Sequence, residues 1–476
     1  MKAFFKRLSL KEDPSTYQDK DSHLKRTLTT KDFLALGVGT IVSTGIFTLP
    51  GLVSAKYAGP AVSLSFLGAA IVAGLVAFAY AEMASSMPFA GSAYSWINVI
   101  FGEMFGWVCG WALLAEYFIA VPFVASGLSS NLQGLLGGLG VTLPKQLSVG
   151  FTSGGMVDIF AVISILIISF LLSRGVQETA RVQNTLVVLK VLAIILFIIV
   201  GLTAIHPQNY VPFIPKQHVN PDGSTFGGWV GIYQGISTIF LSYIGFDSIA
   251  ANSAEAKNPQ KTMPRGILGS LLIAVVLFVI VGMVLTGMFH YSNYADNAEP
   301  VGWALRHAGH PLVANIVQAI AVVGMFTALI GMMLAGSRLL YSFGRDGMLP
   351  KKLGSLQNNK PNVALLILTI VAVILGAFFP FSFLAQLVSA GTLIAFMFVS
   401  LAIYPLRKRE GVDIDKPGFK MPFFPVLPVL AFLGSFLTFW GLDVPAKTLS
   451  GIWFLVGLII YFGYGIRHSA LNKKNK

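Results

Sequence analysis

Three ionisable side chains lie inside long apolar stretches of the sequence, where a charge needs a partner or a function. Glu116 is in "WALLAEYFIA", Lys190 in "TLVVLKVLAII" and Asp247 in "YIGFDSIA". At the centre of a bilayer, each such charge costs at least ~2.5–3.5 kcal/mol on insertion scales. A carboxylate can attract an ammonium group, and a buried lysine can lose and regain a proton near physiological pH. The residue types therefore indicate binding of charged groups and proton transfer.

Each of these residues also has a purely structural interpretation. Glu116 could form an ion pair between two helices. Lys190 is ~9 Å along its helix, so its ammonium group could reach the membrane interface. Asp247 could cap free N–H groups of a helix or balance the charge of Lys190. The sequence leaves these alternatives open.

Two of the apolar stretches are interrupted near their middle by small and polar residues. Ser43, Thr44 and Gly45 interrupt "GVGTIVSTGIFTLPG", and Ser242 and Gly245 interrupt "GISTIFLSYIGFDSIA". A helix in lipid must satisfy its own backbone, so such clusters are tolerated only where protein or a water-filled cavity takes over the freed groups. Close packing of helices through small residues is the alternative for either stretch taken alone.

The composition identifies a membrane protein. Hydrophobic residues make up 55% of the 476 residues and charged residues only 11%, against roughly 25% charged in soluble domains. Uninterrupted runs such as "LLIAVVLFVIVGMVLTGMF" argue against the alternating ~10-residue strands of a β-barrel. The pattern predicts twelve helices of about 20 residues. They begin near Phe33, Val62, Gly106, Ile159, Thr185, Gly228, Ile267, Pro311, Val363, Phe383, Val426 and Gly451.

The positive charges fall almost entirely on one side of these predicted spans. Of the 33 Lys and Arg residues, 27 lie in the segments assigned to the inside, and Lys190 lies within a span. The other five lie in the segments assigned to the outside: Lys56, Lys145, Lys216, Arg306 and Lys447. This asymmetry predicts that both termini are cytoplasmic. The expected location of the protein is the plasma membrane, the inner membrane of a bacterium. The net charge of +13 therefore gives no support for nucleic-acid binding.

Motifs for other chemistry are absent from the sequence. There is no nucleotide-binding G-x-x-x-x-G-K-[ST] motif and no G-x-S-x-G motif of a nucleophile elbow. His307 and His310 are three residues apart with no third metal ligand nearby, and Cys109 is the single cysteine. The sequence therefore predicts neither an enzyme nor a protein with a cofactor, a metal site or an internal disulfide.

One interrupted span opens each half of the chain, which indicates an inverted repeat of five plus five helices around a site in the middle of the membrane. Each break leaves free N–H groups at one helix end, which suit a carboxylate, and free C=O groups at the other, which suit an ammonium group. A site that offers both fits a zwitterion, the backbone of an amino acid. The residues assigned to substrate binding are Val42, Ser43, Thr44, Gly45, Leu241, Ser242 and Ile244, with Glu116 close by.

Seven segments between Lys31 and Tyr404 support a family assignment: "GTIVSTGIF", "GPAVSLSF", "YAEMASSMPFAGSAYSW", "LAEYF", "LSYIGFDSIA", "AEAKNPQKTMPRGI" and "SRLLYSFGRDGMLP". Together they resemble the amino acid–polyamine–organocation superfamily, and within it the bacterial cationic amino acid transporters with the leucine-transporter fold. Ser43 stands where family members usually have the first glycine of a Gly-Ser-Gly or Gly-Thr-Gly break, a difference that bears on pocket size. The implied fold is all-α and multi-pass, with twelve transmembrane helices, broken helices one and six in a five-plus-five inverted repeat, and two extra helices.

The resemblance also implies roles for single residues. Glu116 would face the ammonium group or a cationic side chain of the substrate. Lys190 would occupy the place of a sodium ion found between spans one, five and eight in relatives, and would couple transport to protons together with Asp247. Tyr243 and Phe246, in the second break, would act as gates.

The predicted organisation is one membrane domain with two tails. Its segments are a cytoplasmic tail (1–30), the first repeat (31–205), an extracellular loop (206–227), the second repeat (228–406), a cytoplasmic loop (407–425), helices eleven and twelve (426–467) and a cytoplasmic tail (468–476). The predicted function is proton-coupled import of cationic or small neutral L-amino acids by alternating access, and the alternative is an exchanger without net proton uptake. The expected partners are an amino acid, protons and membrane lipids, with no nucleic acid; the oligomeric state is not predicted.

Overall fold

The computed structural model describes residues 10–21, 26–175, 180–220, 223–295, 297–357 and 360–474, and this part of the chain is mostly helical. Two short strands, β1 (His218–Val219) and β2 (Thr225–Phe226), pair antiparallel. The α-helices are α1 (Pro14–Asp21), α2 (Thr30–Ile41), α3 (Thr44–Val53), α4 (Val62–Ser86), α5 (Ser92–Ile100), α6 (Glu103–Gly138), α7 (Lys145–Ser148), α8 (Ile159–Arg174), α9 (Ala180–Leu202), α10 (Gly228–Ile239), α11 (Phe246–Ala251), α12 (Pro259–Met288), α13 (Pro300–His307), α14 (Pro311–Arg345), α15 (Asn362–Phe378), α16 (Phe381–Arg409), α17 (Val426–Trp440), α18 (Val444–Ile460), α19 (Ile466–His468) and α20 (Ala470–Lys474). Short 3₁₀ or π turns lie at Ser54–Ala58, Gly59–Ala61, Phe151–Ser153, Pro207–Tyr210, Phe240–Tyr243, Ser253–Glu255, Tyr291–Tyr294 and Tyr461–Gly465.

Seven helical stretches of the described chain are long and apolar enough to cross a membrane. The first, Thr30–Ser86, has 57 residues, and ~85 Å of helix at 1.5 Å per residue is far more than one crossing of a ~30 Å hydrocarbon core. The other six are Glu103–Gly138, Val182–Leu202, Pro259–Met288, Pro311–Arg345, Phe381–Arg409 and Val444–Asn472. Three shorter apolar helices, α8, α15 and α17, add to them. The protein is therefore a helical, multi-pass membrane protein, as predicted.

The predicted helix starts agree with the observed ones where a polar residue or a turn directly precedes the apolar run. Val62, Ile159, Gly228, Pro311 and Val426 each begin a helix at the predicted residue. The largest differences occur at α12 and α18, which begin at Pro259 and Val444, before the predicted Ile267 and Gly451. The helices α5 and α13 have no counterpart in the twelve predicted spans.

The centre of the protein is formed by α6, which contacts α14 on one side and α16 on the other, while α12 packs against both α2 and α4. Glycine allows some of these close approaches. A Cβ on Gly37 of α2 would overlap with Ser270 of α12, and one on Gly336 of α14 would lie 2.9 Å from Tyr117 Cβ. Small residues at such contacts let helix backbones pack closely in lipid.

Both ends of the described chain meet at Glu103, the first residue of α6. Its N–H donates to Leu10 O (2.9 Å), and its carboxylate accepts a hydrogen bond from Ser469 Oγ. The segment around α1 is docked rather than extended, because the Tyr17 ring is buried and its hydroxyl accepts a hydrogen bond from Asn98 Nδ2 (3.1 Å) of α5. We call this side of the protein the terminal face and the other side the opposite face.

A buried ion pair joins α4 to the chain after α16. Arg407 donates from Nε and Nη2 to the two oxygens of Glu82 (2.8 and 2.9 Å), and Met421 N–H donates to Glu82 Oε2 (2.5 Å). The Glu82 side chain is fully buried, and this bidentate arrangement satisfies its charge. Glu82 therefore fixes the loop between α16 and α17 against the end of α4.

Candidate functional site

The first helix break lies between α2 and α3. After Ile41, Val42 turns the chain (φ −82°, ψ 74°), Ser43 follows (φ −124°, ψ −131°), and α3 begins at Thr44. Val42 N–H still donates to Val38 O (2.8 Å), so the helical bonding of α2 ends there. Ser43 makes no side-chain capping hydrogen bond to the described residues. The first N–H groups of α3 are therefore left for another partner, because a helix start supplies none of its own.

The second break lies between α10 and α11 and is longer. Phe240–Tyr243 forms a 3₁₀ turn, and Ile244 is extended (φ −68°, ψ 141°). Gly245 then redirects the chain at φ 136°, a value that other L-residues rarely adopt. Gly245 N–H donates to Asp247 Oδ1 (3.1 Å) in the first turn of α11. The carboxylate of Asp247 therefore satisfies one N–H group at this helix start.

The two breaks face each other. A Cβ on Gly45 would lie 2.8 Å from Ser242 Oγ, and a Cβ on Gly245 would lie 3.0 Å from the backbone nitrogen of Ile41. Thr40 Oγ1, at the end of α2, donates to Gly245 O (3.3 Å). The free helix ends of both breaks are thus brought into one small region of the protein.

A small cavity lies between the breaks and the helices α6, α14 and α16. Its polar groups include the Ser242 hydroxyl, which is buried and has no hydrogen-bond partner among the described residues. Its walls away from the breaks are mainly apolar. The lining residues are Thr40, Ile41, Ser43, Gly45, Glu116, Tyr117, Ala120, Phe123, Val124, Leu241, Ser242, Ile244, Met332 and Val388.

Glu116 lines this cavity and belongs to a buried polar cluster. Thr392 Oγ1 of α16 donates to Glu116 Oε2 (2.7 Å). The Glu116 carboxyl also lies close to that of Asp247, which accepts from Tyr117 Oη at Oδ2 (3.3 Å). Two carboxyl groups this close cannot both carry a charge cheaply in a low-dielectric environment. The arrangement is chemically suited to hold a proton beside the cavity.

Lys190 lies outside the cavity, where α9 meets α2 and α14. Its Nζ donates to Gly39 O (2.6 Å), one of the last carbonyl groups of α2. The residue is 2% exposed, and its side-chain carbons fill the space that a Cβ on Gly324 of α14 would occupy. The ammonium group is thus buried and directed at the carbonyl end of the first break.

The structure brings half of the predicted site residues into contact with the cavity. Those that line it are Ser43, Gly45, Glu116, Leu241, Ser242 and Ile244. Val42 and Thr44 are buried beside it, and the Thr44 methyl group faces Gly127 of α6. Lys190 and Asp247 lie near the two breaks without forming part of the lining.

The predicted gates, Tyr243 and Phe246, lie behind the second break. Tyr243 Oη donates to Phe66 O (3.0 Å), and its ring packs edge-on against Phe278 of α12. Phe246 stacks on Phe396 of α16, with ring centroids 5.1 Å apart. Both rings are fully buried. Their gating role stays a prediction.

Several lining residues were missed by the sequence analysis. Tyr117, Ala120, Phe123 and Val124 follow Glu116 at intervals that share one side of α6, so helical periodicity could have found them. Met332 and Val388 are on α14 and α16, far away in sequence. No local signal marks these two residues, because only the packing of the helices brings them to the cavity.

The described geometry agrees with what comparison with known proteins shows. The family model for amino acid permeases matches residues 28–464, most of the chain. The chain belongs to the amino acid permease family. This places it in the amino acid–polyamine–organocation superfamily, as predicted, and makes it a membrane transporter rather than an enzyme.

Relatives of this permease have been named for several substrates. A branched-chain amino acid permease of Lactococcus lactis is 63% identical over 459 residues, which cover 96% of this chain and 98% of the relative. A methylthioribose transporter of Bacillus subtilis is 37% identical over 96% of this chain and 97% of the relative. The vacuolar cationic amino acid transporter 4 of Arabidopsis thaliana is 33% identical over 83% of this chain and 66% of the relative. The relatives named for cationic substrates are thus the more distant ones.

Proposed function

We propose that this permease is a secondary active transporter that imports branched-chain L-amino acids with protons by alternating access. The observation that carries the proposal is the cavity between the two breaks. Free N–H groups of α3 suit the substrate carboxylate, and the end of the 3₁₀ turn at Tyr243 with the Ser242 hydroxyl suits its ammonium group. The same cavity then has to accommodate the substrate side chain.

The cavity walls favour an apolar substrate side chain. Ala120, Phe123, Val124, Met332 and Val388 present only hydrocarbon, aromatic or thioether groups to it. Burying a Val, Leu or Ile side chain against such a wall is worth ~1.5–3 kcal/mol. The similarity to the Lactococcus lactis branched-chain permease supports the same choice.

A cationic substrate side chain has less support. It would need a carboxylate with no other partner. Glu116, the one acid among the described residues that line the cavity, already accepts from Thr392 Oγ1 and lies beside Asp247. We therefore favour branched-chain substrates over the cationic ones that the sequence motifs suggested.

We propose that the chain crosses the plasma membrane twelve times, with the terminal face in the cytoplasm. The count is supported by the length of Thr30–Ser86, which allows two crossings, by six further long helices and by the three shorter apolar helices. The broken pair α10 and α11 supplies the twelfth. The orientation rests on the excess of Lys and Arg in the segments assigned to the inside.

We propose that proton coupling uses Lys190 and Asp247, with Glu116 as the neighbour of Asp247. Lys190 contacts a carbonyl of the first break, and Asp247 contacts an N–H group of the second. A change in the protonation of either residue would alter the hydrogen bonding of one break. The proton and the conformation of the breaks would thereby be linked.

The deciding experiment is uptake into proteoliposomes that hold the purified permease. We expect an acidic exterior to drive accumulation of labelled leucine, isoleucine and valine, with arginine and lysine poor competitors. Accumulation only into liposomes preloaded with an amino acid, regardless of the pH gradient, would instead identify an exchanger. Strong arginine uptake with weak leucine uptake would contradict the assignment of branched-chain substrates.

A further inference from the structure

A second polar cluster lies on the opposite face and joins four separate parts of the chain. Tyr57 follows α3, Thr238 is near the end of α10, Gln386 is in the second turn of α16, and Asp443 lies between α17 and α18. Tyr57, Thr238 and Gln386 are almost fully buried. The cluster therefore connects both broken helices to α16 and to the turn that follows α17.

Gln386 is the centre of this cluster, and all of its hydrogen-bonding groups are used. Its Nε2 donates to Thr238 Oγ1 (2.9 Å) and to Tyr57 Oη (3.2 Å), and its Oε1 accepts from Asp443 N–H (3.0 Å). Tyr57 Oη in turn donates to Asp443 Oδ2 (3.2 Å). Three of these hydrogen bonds close a ring of Tyr57, Gln386 and Asp443, and the fourth attaches Thr238 to Gln386.

Lys56 lies at the exposed edge of the ring and contributes a positive charge there. Lys56 Nζ lies 3.9 Å from Asp443 Oδ2 and 5.2 Å from the centroid of the Tyr57 ring. Both side chains of this ion pair are partly exposed, so solvent weakens it. The buried hydrogen bonds of Gln386 are accordingly the stronger part of the cluster.

Three chain segments connect the cluster to the cavity. Thr238 comes three residues before Leu241, and Gln386 comes two residues before Val388, and both of these residues line the cavity. Tyr57 is on the segment that continues from α3, whose start at Thr44 lies beside the cavity. Opening the cavity towards the opposite face requires these segments to separate. The ring would have to break for that to happen.

Asp443 has a special position because it belongs to neither predicted repeat. The helices α17 and α18 follow the ten helices of the two repeats, and their contacts with the cavity are indirect. The turn between them nevertheless contributes two of the three hydrogen bonds that close the ring, one from its backbone and one from the Asp443 carboxylate.

We propose that Tyr57, Gln386 and Asp443 form an outer lock that holds the cavity closed on the opposite face, and that α17 and α18 take part in transport by supplying Asp443. The inference rests on the proposed transport function, since a lock matters only in a protein that alternates between two open states. Breaking the lock shifts the population towards the state that is open on the opposite face.

Thiol labelling tests the lock without any need for substrate. The single cysteine, Cys109, is buried, so a Cys109→Ser background that carries Val388→Cys reports access to the cavity. In sealed proteoliposomes with the opposite face outside, a charged thiol reagent that cannot cross lipid would label Val388→Cys slowly. This labelling rate would rise about three- to tenfold in Tyr57→Phe, as expected for the loss of one or two buried hydrogen bonds. Gln386→Leu would raise the rate at least as much.

A matched control is Tyr294→Phe. Tyr294 is also fully buried and its substitution removes one hydrogen bond, from its hydroxyl to Leu285 O (2.6 Å), which is not one of the hydrogen bonds of the ring. The labelling rate would stay at that of the Val388→Cys background in this control. An unchanged rate in both Tyr57→Phe and Gln386→Leu, in folded protein that elutes as a single species, would overturn the lock.

The part played by α17 and α18 has its own pair of variants. Asp443→Asn keeps an oxygen that can accept from Tyr57, whereas Asp443→Ala removes it, so only Asp443→Ala would raise the labelling rate. Equal labelling rates for Asp443→Ala and for the Val388→Cys background would overturn the role of α17 and α18 in the lock. If the lock variants are labelled faster but the protein accumulates no amino acid, the lock is supported and the proposed transport function is contradicted. Failure of the lock and failure of the proposed function can therefore be told apart.

Discussion

The two helix breaks place free backbone groups at one site by different means. In the first, Val42 and Ser43 both have negative φ angles, which any L-residue can adopt. In the second, Gly245 has φ 136° and lies against Ile41. The first break is therefore tolerant of residue type, and the second depends on one glycine.

The breaks also differ in the charge that stabilises them. Lys190 Nζ donates to a carbonyl at the end of α2, and Asp247 Oδ1 accepts from an N–H group at the start of α11. A cation therefore serves the carbonyl end of one break and an anion serves the N–H end of the other, as the partial charges of helix ends require. The asymmetry in residue type and charge can be tested one residue at a time.

The largest effect is expected for Gly245→Ala. Its Cβ would be strained at φ 136° and would press on the Ile41 nitrogen (3.0 Å), at a cost of ~1–3 kcal/mol. We expect leucine uptake to be lost and thermal stability to fall, as measured by proteoliposome uptake and size-exclusion thermostability. Gly74→Ala in α4, where no atom lies within 4 Å of a new Cβ, is the control and should change neither. Normal uptake by Gly245→Ala would show that the second break is as tolerant as the first.

The next largest effect is expected for Lys190→Met, which keeps most of the side-chain volume and removes the charge. The variant loses the hydrogen bond to Gly39 O, and charged hydrogen bonds are worth ~1.5–3 kcal/mol. We expect leucine uptake driven by a pH gradient to fall more than about tenfold. Exchange of leucine between the inside and the outside of proteoliposomes, with the same pH on both sides, should persist. Undiminished pH-driven uptake would remove Lys190 from the coupling mechanism.

A smaller effect is expected for Asp247→Asn than for Asp247→Ala. The amide oxygen of Asn can still accept from Gly245 N–H (3.1 Å), whereas Ala leaves that group without its partner, at a cost of ~1–3 kcal/mol. Leucine binding, measured by thermal shift, should therefore survive in Asp247→Asn and weaken in Asp247→Ala. Similar losses of binding in both variants would mean that the charge, and not the hydrogen bond, maintains the break.

The smallest effect is expected for Ser43→Gly, which restores the glycine usual in the family. Ser43 is nearly buried and its backbone is not in a conformation reserved for glycine, so the change mainly adds flexibility, worth ~0.5–1 kcal/mol. Leucine uptake should stay within about threefold of the unmodified protein. A change of substrate preference, for example towards arginine, would show that Ser43 sets the size of the pocket.

The sequence predicts the two breaks because glycine, serine and threonine inside apolar runs are a local signal. It also predicts the burial of Glu116, Lys190 and Asp247, since charges inside apolar runs stand out. The walls formed by Met332 and Val388 could not be predicted in this way, because apolar residues on apolar helices are indistinguishable until the helices pack. The proposed preference for a branched-chain substrate rests on those walls, whereas the motifs alone suggested cationic or small neutral amino acids.

The docking of the N-terminal segment was equally invisible in the sequence. The segment around α1 is polar, with one aromatic residue, Tyr17, that buries its ring against α5. Polar composition predicts a solvated tail, and only the partner surface reveals the contact. The same holds for Asp443, whose role depends on Gln386, which is 57 residues away.

Leu10 and Ser469, close to the two ends of the described chain, both contact Glu103, and this has a practical consequence. Two fragments of a split fluorescent protein, one fused to each end, would be delivered to the same side of the membrane and within reach of each other. Reassembly inside living cells would then report both correct insertion and which compartment holds the ends, without purification of the permease.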